Sequence, residues 1–447
     1  MSISILNQSN NSITLQVQIK FSRSMLDSES EIQNELNQAG VVATESLLKT
    51  FDTDGSPIMF GSVKMTSQGL VSKHYQTPYG EATVERNIYQ TSKGGTTFCP
   101  LEQNARIIIA STPRFASQIS HKMAEMSASK VSNDLQINHN RSIARNVVQR
   151  IADAVAAVVQ IKEESWSYTV PNIAEKEIAT VSVGLDGTCM LMCEDSYRQA
   201  MVGTIALYDA LGERHHTTYI AAAPEYGKEK FKERLTREIE NTKLLYKNAV
   251  YIGVADGAHD NWDFLKQHTT TQILDFYHAS EYLTKVADVI FITQKDKDAW
   301  LDITCHKLKH EKGAANEILE QFKEFKKAEA RLMKQQINVK LKSPEQVTQE
   351  IEKKLQPLES AITYFKNNIV ASRMNYAEAV AANQPIGSGV TEAACKTIVK
   401  QRLCKSGMRW KDKGAASILS LRSLIHSTGR WEQFWSKIDQ YGFPVAA

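Results

Sequence analysis

The sequence predicts an α/β protein whose centre is a mixed β-sheet with helices on both faces. Apolar and alternating stretches between residues 178 and 276 predict five strands. The first three strands follow one another as a meander, and the later ones alternate with helices. A meander followed by strand–helix alternation gives a mixed sheet that is covered on both sides.

The individual elements of this core are bounded by changes in hydrophobic pattern. The predicted strands are 178–185, 201–208, 217–222, 250–255 and 272–276, and the predicted helices are 228–247, 260–266 and 278–289. A tight turn at Gly212-Glu213 separates the second and third strands. This order of elements is that of a ribonuclease-H-like fold.

Segments of different character flank the core and predict six regions. They are an α+β region with a hairpin at 1–111, a helical domain at 112–165, the first part of the core at 176–293, an all-helical insertion at 294–378, the second part of the core with a further helix at 379–430, and a tail at 431–447. The polar stretch that contains Pro171 predicts the boundary before the core.

The region before the core combines a hairpin with helices. We predict a helix at 32–51, a hairpin whose turn is 76–80, a second turn at 93–95, and helices at 115–127 and 142–159. The short helices, with Lys130, Arg141, Arg145 and Arg150 facing outward, are compatible with a helix-turn-helix DNA reader. A plain helical linker domain is an equally open interpretation.

Composition limits the class of protein. The chain has 447 residues, 42% of them hydrophobic, which is ample for a buried core, and a net charge of only +3. Six cysteines without regular spacing predict reduced thiols in a cytosolic protein. We see no signal peptide and no apolar stretch long enough for a membrane span, so we expect a cytoplasmic protein with no membrane partner.

Two aspartates follow apolar stretches in a way that predicts chemistry. Asp186 and Asp256 are each followed by a glycine, and each is expected where a strand stops and the chain turns. If the two strands are neighbours in one sheet, the carboxylates converge. Close carboxylates repel unless a cation lies between them, and hard oxygen ligands suit Mg²⁺.

A third acid begins the helix predicted at 390–403. Glu392 follows the sharp turn 385–389 and lies in the first turn of that helix. The plain interpretation is an acid that favours a helix N-terminus or pairs with Lys396. The functional interpretation notes that a basic run follows, which would suit a phosphate backbone, with Trp410 as a base-stacking or core residue. The cations of this run are Lys396, Lys400, Arg402, Lys405, Arg409, Lys411 and Lys413.

Three carboxylates of this kind predict a two-metal site. Such a site holds two Mg²⁺, or Mn²⁺, ions about 4 Å apart and supports in-line phosphoryl transfer without a side-chain nucleophile. Zinc at Cys305, His306 and His310 is disfavoured, because all three lie in one helical stretch without a matching fourth ligand.

The chain resembles bacterial insertion-sequence transposases of the DDE type, most closely the ISKra group, which are relatives of the Mutator-like enzymes. The likeness covers about residues 70 to 425. The motifs that carry it are Gly-Leu-Asp-Gly-Thr at 184–188, Ala-Asp-Gly-Ala at 255–258, Ile-Leu-Asp-Phe-Tyr-His-Ala-x-Glu-Tyr-Leu at 273–283, Pro-Ile-Gly-Ser-Gly-x-x-Glu at 385–392, Arg-Leu-x-x-x-Gly-Met-Arg-Trp at 402–410, Tyr-Gln-Thr-Pro-Tyr-Gly at 75–80 and Cys-Pro-Leu-Glu at 99–102.

The resemblance implies a catalytic and metal-binding triad of Asp186, Asp256 and Glu392. It also implies that Asp275 and His278 form a supporting Asp-x-x-His element beside the metal ions, although a helix-capping role for Asp275 stays open. It further implies that the first 160 residues recognise terminal inverted repeats, and that the enzyme cleaves double-stranded DNA and joins it to target DNA. We expect a homo-oligomer, because two DNA ends must be cut together. The alternatives are a nuclease of the same fold that does not join strands, and a domesticated DNA-binding protein.

Overall fold

The chain is described here by a computed structural model that covers residues 3–9, 11–170, 178–257, 259–336 and 344–443. Two compact units make up the chain. The first is Met1–Thr169 together with Trp410–Ala447, and the second is Val170–Arg409. We predicted that the core continues to residue 430, whereas the core unit ends at Arg409. The reason is that the segment after it packs on helices of the first unit.

The first unit begins with two small sheets and a long helix. Its elements are β1 (Ile3–Gln8), β2 (Ile13–Val17), α1 (Met25–Lys49), β3 (Ile58–Phe60), β4 (Val63–Gln76), β5 (Glu81–Thr91), β6 (Gly94–Phe98), α2 (Pro100–Asn104), α3 (Pro113–Glu125), α4 (Ala128–His139) and α5 (Arg145–Lys162). β1 pairs with β2, and the other sheet has the order β3-β4-β5-β6. β4 and β5 form the predicted hairpin, which closes at the pair Gln76↔Glu81. The sequence did not predict β1, β2 or α4.

Arg141 is a structural residue of this unit, so the prediction that it faces outward is wrong. Its side chain is 7% exposed. The guanidinium donates to the backbone oxygen of Thr77 at 3.1 Å and to Oε1 of Gln76 at 3.0 Å, and its centre lies 5.3 Å from the centroid of the Phe115 ring. A buried guanidinium needs such acceptors, and here they belong to the hairpin turn. Arg145, in contrast, is exposed.

The second unit is built on a five-stranded mixed sheet. Its first elements are β7 (Ile178–Leu191), β8 (Tyr197–Asp209), β9 (Arg214–Ala222), a 3₁₀ turn (Pro224–Tyr226), α6 (Lys228–Leu245), β10 (Val250–Ala255), α7 (His259–His268), β11 (Thr271–Leu274) and α8 (Phe276–Ile290). The strand order is β11-β10-β7-β8-β9. β10 is parallel to both of its neighbours, and β8 is antiparallel to both of its own. The predicted mixed α/β character is therefore confirmed.

One local prediction about this sheet is wrong, because Asp186 lies within a strand and not at its end. β7 continues to Leu191, six residues beyond the predicted end at 185. The antiparallel ladder with β8 carries it there, from Asp186↔Val202 to Leu191↔Tyr197. The parallel ladder with β10 stops earlier, at Gly253↔Val183. Asp186 therefore lies where β7 loses its partner on one side only.

Helices complete both units. In the second unit they are α9 (Gln294–His310), α10 (Ala314–Gln336), α11 (Pro344–Val370), α12 (Tyr376–Ala381), α13 (Gly389–Ala394), a π-helical segment (Cys395–Lys400) and α14 (Gln401–Leu403), and in the first unit they are α15 (Asp412–His426) and α16 (Arg430–Tyr441). Leu421, Leu424, Phe434 and Ile438 of the last two helices join the core formed by α3 and α5. None of the described helices has both the length and the apolar composition that a membrane crossing requires.

Candidate active site

The site is organised by the register between β7 and β10. Gly253 pairs with Val183, an offset of 70 that also separates Asp256 from Asp186 in the sequence. Because parallel strands advance at the same rise per residue, the two aspartates come level with each other just beyond the paired region. Asp256 follows the last residue of β10, at the carboxyl end where α/β sheets bind ligands.

A small notch in β7 brings the third acid to these two. A β-carbon at Gly184 would lie 2.1 Å from Oγ1 of Thr391, so only glycine leaves room for the helix that carries Thr391. The Thr391 hydroxyl also lies 2.8 Å from Oγ1 of Thr204 on β8. These contacts hold α13 against the sheet, and the residue after Thr391 is Glu392.

The three acids line one cavity. This carboxylate cavity has a volume of about 230 Å³ and is bounded by Leu185, Asp186, Val254, Ala255, Asp256, His278, Ser388, Thr391 and Glu392. Burial raises the pKa of Asp186, and the nearby carboxylates of Asp256 and Glu392 raise it further. Hydrogen bonds from the Gly187 amide, at 2.6 Å, and from the Cys395 thiol, at 3.5 Å, oppose these effects on the Asp186 pKa.

Ser388 connects Glu392 to the predicted Asp-x-x-His element. Its hydroxyl donates to Oε1 of Glu392 at 2.7 Å, and its backbone amide donates to Oδ2 of Asp275. Nδ1 of His278 lies 3.9 Å from Oε1 of Glu392 and 3.4 Å from Oδ1 of Asp275. This nitrogen is buried and has no hydrogen-bond partner among the described residues.

Asp275 serves as a helix cap and a loop anchor. It is the N-cap of α8, and its Oδ1 accepts from the His278 amide at 2.8 Å while Oδ2 accepts from Ser388. Burial of the fully buried carboxyl would raise its pKa, but the hydrogen bonds from Ser388 and His278 outweigh burial and lower the pKa. The capping role, which the sequence left open, is thus present in the structure.

A basic cleft adjoins the carboxylate cavity and shares Asp186 and Glu392 with it. The cleft has a volume of about 750 Å³ and is lined by Asp186, Gly187, Thr188, Gly389, Glu392, Ala393, Cys395, Lys396, Lys400 and Gln401. Lys396 and Lys400, which we predicted as DNA contacts, are exposed in it. Two carboxylates, Asp186 and Glu392, and two lysines, Lys396 and Lys400, therefore line the same cleft.

The other predicted DNA contacts lie in different settings. Lys405 and Arg409 are exposed on the chain after α14. Arg402 is 3% exposed, so the prediction that its guanidinium is available to DNA is wrong. Its position in the turn after the π-helical segment directs it inward beside Leu403. Trp410 is half-buried and belongs to the first unit.

The residues present fit a divalent cation. The cavity brings together carboxylate oxygens, the donors that Mg²⁺ and Mn²⁺ prefer. Burial first, and then the nearby charges of Asp256 and Glu392, raise the pKa of Asp186, and a bound cation would favour the charged form of this acid. Ligand atoms of Asp275, His278 and Glu392 also lie within 4.8 Å of one another. A second group at the β8–β9 turn, Asp209 with Glu213 and His215, has similar spacing, but Asp209 already accepts from the amides of Leu211 and Glu213.

Several residues of this site were missed by the reasoning from sequence. Ser388 and Gly184 stood inside the motifs that we recognised, yet nothing in their identity predicted what they touch. Cys395 and Thr391 lie on the helix of Glu392, and periodicity could have placed them on its inner face.

The chain was also compared with known proteins. A scan against protein-family models gave no match, and a search of curated proteins gave none either.

Proposed function

We propose that this protein is a DDE-type DNA transposase, of the insertion-sequence kind that its motifs resemble. The observation that carries the proposal is the meeting of Asp186, Asp256 and Glu392 in one cavity that opens into a cleft with Lys396 and Lys400. The strand order is β11-β10-β7-β8-β9, in which β7, β8 and β9 form an antiparallel meander and β10 and β11 run parallel to β7. This arrangement supports a ribonuclease-H-like core. Asp256 follows the carboxyl end of β10, Asp186 lies level with it on β7, and Glu392 reaches them from α13.

Asp186, Asp256 and Glu392 are the residues that would hold divalent cations. When bound, two such ions supply activation of a water or 3′-hydroxyl and charge stabilisation of the leaving oxygen. The chain's own residues prepare the site for them. The Ser388 hydroxyl fixes one rotamer of Glu392, and the Gly187 amide does the same for Asp186. Pre-oriented groups lower the cost of reaching the reactive geometry.

The basic cleft supplies the substrate side of the proposal. Lys396 and Lys400 offer two cations to a phosphodiester backbone beside the carboxylates. Because phosphate contacts position a strand without selecting its sequence, recognition of the terminal inverted repeats is assigned to the first unit, where Arg145 is exposed. Assembly as a homo-oligomer on two DNA ends belongs to the same proposal.

A strand-cleavage and strand-transfer assay tests this function. The substrates are duplexes that carry the ends of the flanking element, with Mg²⁺ and a supercoiled target. Wild-type protein is compared with Asp256→Asn and with Asp263→Asn, whose exposed acid lies on α7 away from the cavity. We expect cleavage and joining by the wild type and Asp263→Asn, and loss of both by at least about 10³-fold in Asp256→Asn.

The alternatives give different results in the same assay. Cleavage without joining indicates a nuclease of the same fold. Specific binding to the element ends without cleavage by any variant indicates a DNA-binding protein. Cleavage that survives in Asp256→Asn removes the assigned site altogether.

A further inference from the structure

A tyrosine of the helical insertion contacts the main chain of Asp256, one of the acids that line the carboxylate cavity. Tyr364 lies on α11, and its hydroxyl donates to the backbone oxygen of Asp256 at 2.9 Å. The bond spans 108 residues of sequence, so it ties two separate parts of the second unit together.

The ring of Tyr364 is itself held in place. It stacks on the ring of Tyr282 from α8, with centroids 3.9 Å apart and an angle of 13° between the planes. Nζ of Lys285 lies 4.2 Å from the centroid of Tyr282 on the same helix. Burial raises the pKa of Tyr364, and the nearby Tyr282 and Asp256 raise it further, so the hydroxyl keeps its proton as a donor.

The main chain at Asp256 and Gly257 forms a bend beside the Tyr364 ring. Gly257 has φ +119°, a conformation that L side chains rarely adopt, and a β-carbon there would lie 3.4 Å from the Tyr364 ring. The neighbouring carbonyl of Ala255 accepts from the Asp275 amide at 2.9 Å. One hydrogen bond from α8's cap and one from α11 therefore fix the two peptide units that determine where the Asp256 carboxylate points.

We infer that Tyr364 is a positioning residue, through which the helical insertion sets the orientation of the Asp256 carboxylate for divalent-cation binding. The inference rests on the proposed function of the carboxylate cavity and adds a role for the insertion. Tyr364 does not touch the reacting atoms. It acts through the carbonyl of Asp256, in the way that partners behind a metal ligand orient it.

The test uses full-length protein and two readouts. Binding of Mn²⁺ without DNA is measured by electron paramagnetic resonance, and cleavage of an element-end duplex is measured as a function of Mn²⁺ concentration. The variant Tyr364→Phe removes the hydroxyl and keeps the ring in the stack, while Tyr364→Leu removes both. Tyr197→Phe is the matched control, because Tyr197 is an exposed tyrosine at the start of β8 in the same unit.

We expect Tyr364→Phe to weaken Mn²⁺ binding about tenfold, and to raise by a similar factor the Mn²⁺ concentration that gives half-maximal cleavage. The KM for DNA should stay within about twofold, since the basic cleft is untouched. Tyr364→Leu should weaken Mn²⁺ binding at least as much as Tyr364→Phe, and Tyr197→Phe should match the wild type. The melting temperature of Tyr364→Phe should stay close to that of the wild type, which separates positioning from unfolding.

Failure of the inference and failure of the proposed function are distinguishable. If the wild type binds Mn²⁺ through Asp256, as judged against Asp256→Asn, and Tyr364→Phe binds it equally well, the positioning role is overturned while the function stands. If wild type and Asp256→Asn bind Mn²⁺ alike, the carboxylate cavity is not a metal site and the proposed function falls with it. A Tyr364→Phe protein that loses Mn²⁺ binding only in step with its folded fraction also overturns positioning.

Discussion

The hydroxyl of Thr391 occupies the space that a β-carbon on residue 184 would need, since the two positions are only 2.1 Å apart. Gly184 is therefore the place where the helix carrying Glu392 rests on the sheet. The contact involves backbone and a short side chain, neither of which can move aside at low cost. A larger residue at position 184 should therefore disturb both the position of Glu392 and the stability of the fold.

We predict that Gly184→Ala destabilises the second unit by about 1–3 kcal/mol, the usual range for overpacking, and lowers cleavage at least about tenfold. Thermal unfolding and the cleavage assay measure the two effects. Adding Thr391→Ala should recover part of the stability, because the next atoms, Cβ of Thr391 and Oγ1 of Thr204, lie 3.2 Å away. Gly389→Ala is a control for stability, since a β-carbon there meets nothing within 4 Å. A Gly184→Ala protein as stable as the wild type contradicts this account.

The charge on Asp186 is predicted to cost stability when no cation is present. Its raised pKa means that folding disfavours the carboxylate at neutral pH, and this cost disappears below the unfolded value near 3.8, where the acid is protonated in both states. Asp186→Asn should therefore raise the free energy of unfolding by about 1 kcal/mol in EDTA at pH 7. Mg²⁺ should stabilise the wild type and not the variant.

Asp275→Asn should change the free energy of unfolding in the opposite direction to Asp186→Asn. Burial would raise the Asp275 pKa, but hydrogen bonds from Ser388 and His278 lower it below its ordinary value, so its charged form stabilises the fold above the unfolded value of 3.8 and stops doing so as the pH falls through the folded pKa. We expect Asp275→Asn to lower the free energy of unfolding by about 2 kcal/mol at pH 7. The reason is that the substitution weakens a fully buried side chain that accepts hydrogen bonds from two backbone N–H groups. Differential scanning calorimetry of both variants gives the comparison. Equal shifts in the same direction would refute the electrostatic explanation.

Lys400 should contribute to DNA affinity through charge. Its side chain is exposed in the basic cleft, so Lys400→Gln is expected to reduce the slope of log K against log salt concentration by about 1. Fluorescence anisotropy with a labelled duplex across a salt series measures this slope. Arg402→Gln is the contrasting variant, because Arg402 is buried and its replacement should lower the melting temperature instead. An unchanged slope in Lys400→Gln would remove this lysine from the DNA-contacting surface.

The first unit contains an acid whose effect on stability depends on pH. Glu125 accepts from Arg422 at 2.9 Å and from His426 at 3.0 Å, and the hydrogen bond from His426 is the main cause that lowers its pKa to about 2. Its stabilising contribution is full above the unfolded value of 4.5 and is lost as the pH falls to about 2. Because 41% of the Glu125 side chain is exposed, solvent screening reduces the effect.

We expect Glu125→Gln to cost about 1–2 kcal/mol at pH 7, and to cost much less near pH 2, where about half of the Glu125 carboxyls are protonated. Urea unfolding at a series of pH values gives both numbers. Glu432→Gln, an exposed acid in the first turn of α16, is the control and should follow the wild type. A difference that persists unchanged at pH 2 would show that the ion pair is not its source.

The sequence predicted the order of the core elements well, because periodicity and turn residues are local properties. It failed where pairing between distant segments decides the outcome. β7 reaches Leu191 because β8 pairs with it, and no local pattern near residue 186 records that partner. The same holds for β1 and β2, two short segments that form strands by pairing with each other.

Residue types were predicted better than residue roles. Asp186 and Asp256 could be found because Asp is unusual at the end of an apolar stretch, and Glu392 because it begins a helix that carries a basic run. The burial of Arg141 and Arg402 could not be predicted, since the residue type alone does not say whether a guanidinium faces solvent or is buried against acceptors that come from distant parts of the chain. Asp275 had two open interpretations, and only its hydrogen bonds to Ser388 and His278 distinguish them.

The π-helical segment Cys395–Lys400 has a consequence for how this chain can change over evolutionary time. A π-helical turn accommodates one residue more than an α-helical turn, and such turns occur mostly at functional sites. Deletion of one residue within the segment would therefore restore an ordinary α-helical turn while the residues on either side of it kept nearly the same helix face. A relative of this chain that lacks one residue between Glu392 and Gln401 can thus still present the acid and the last lysine of the segment to the same cleft.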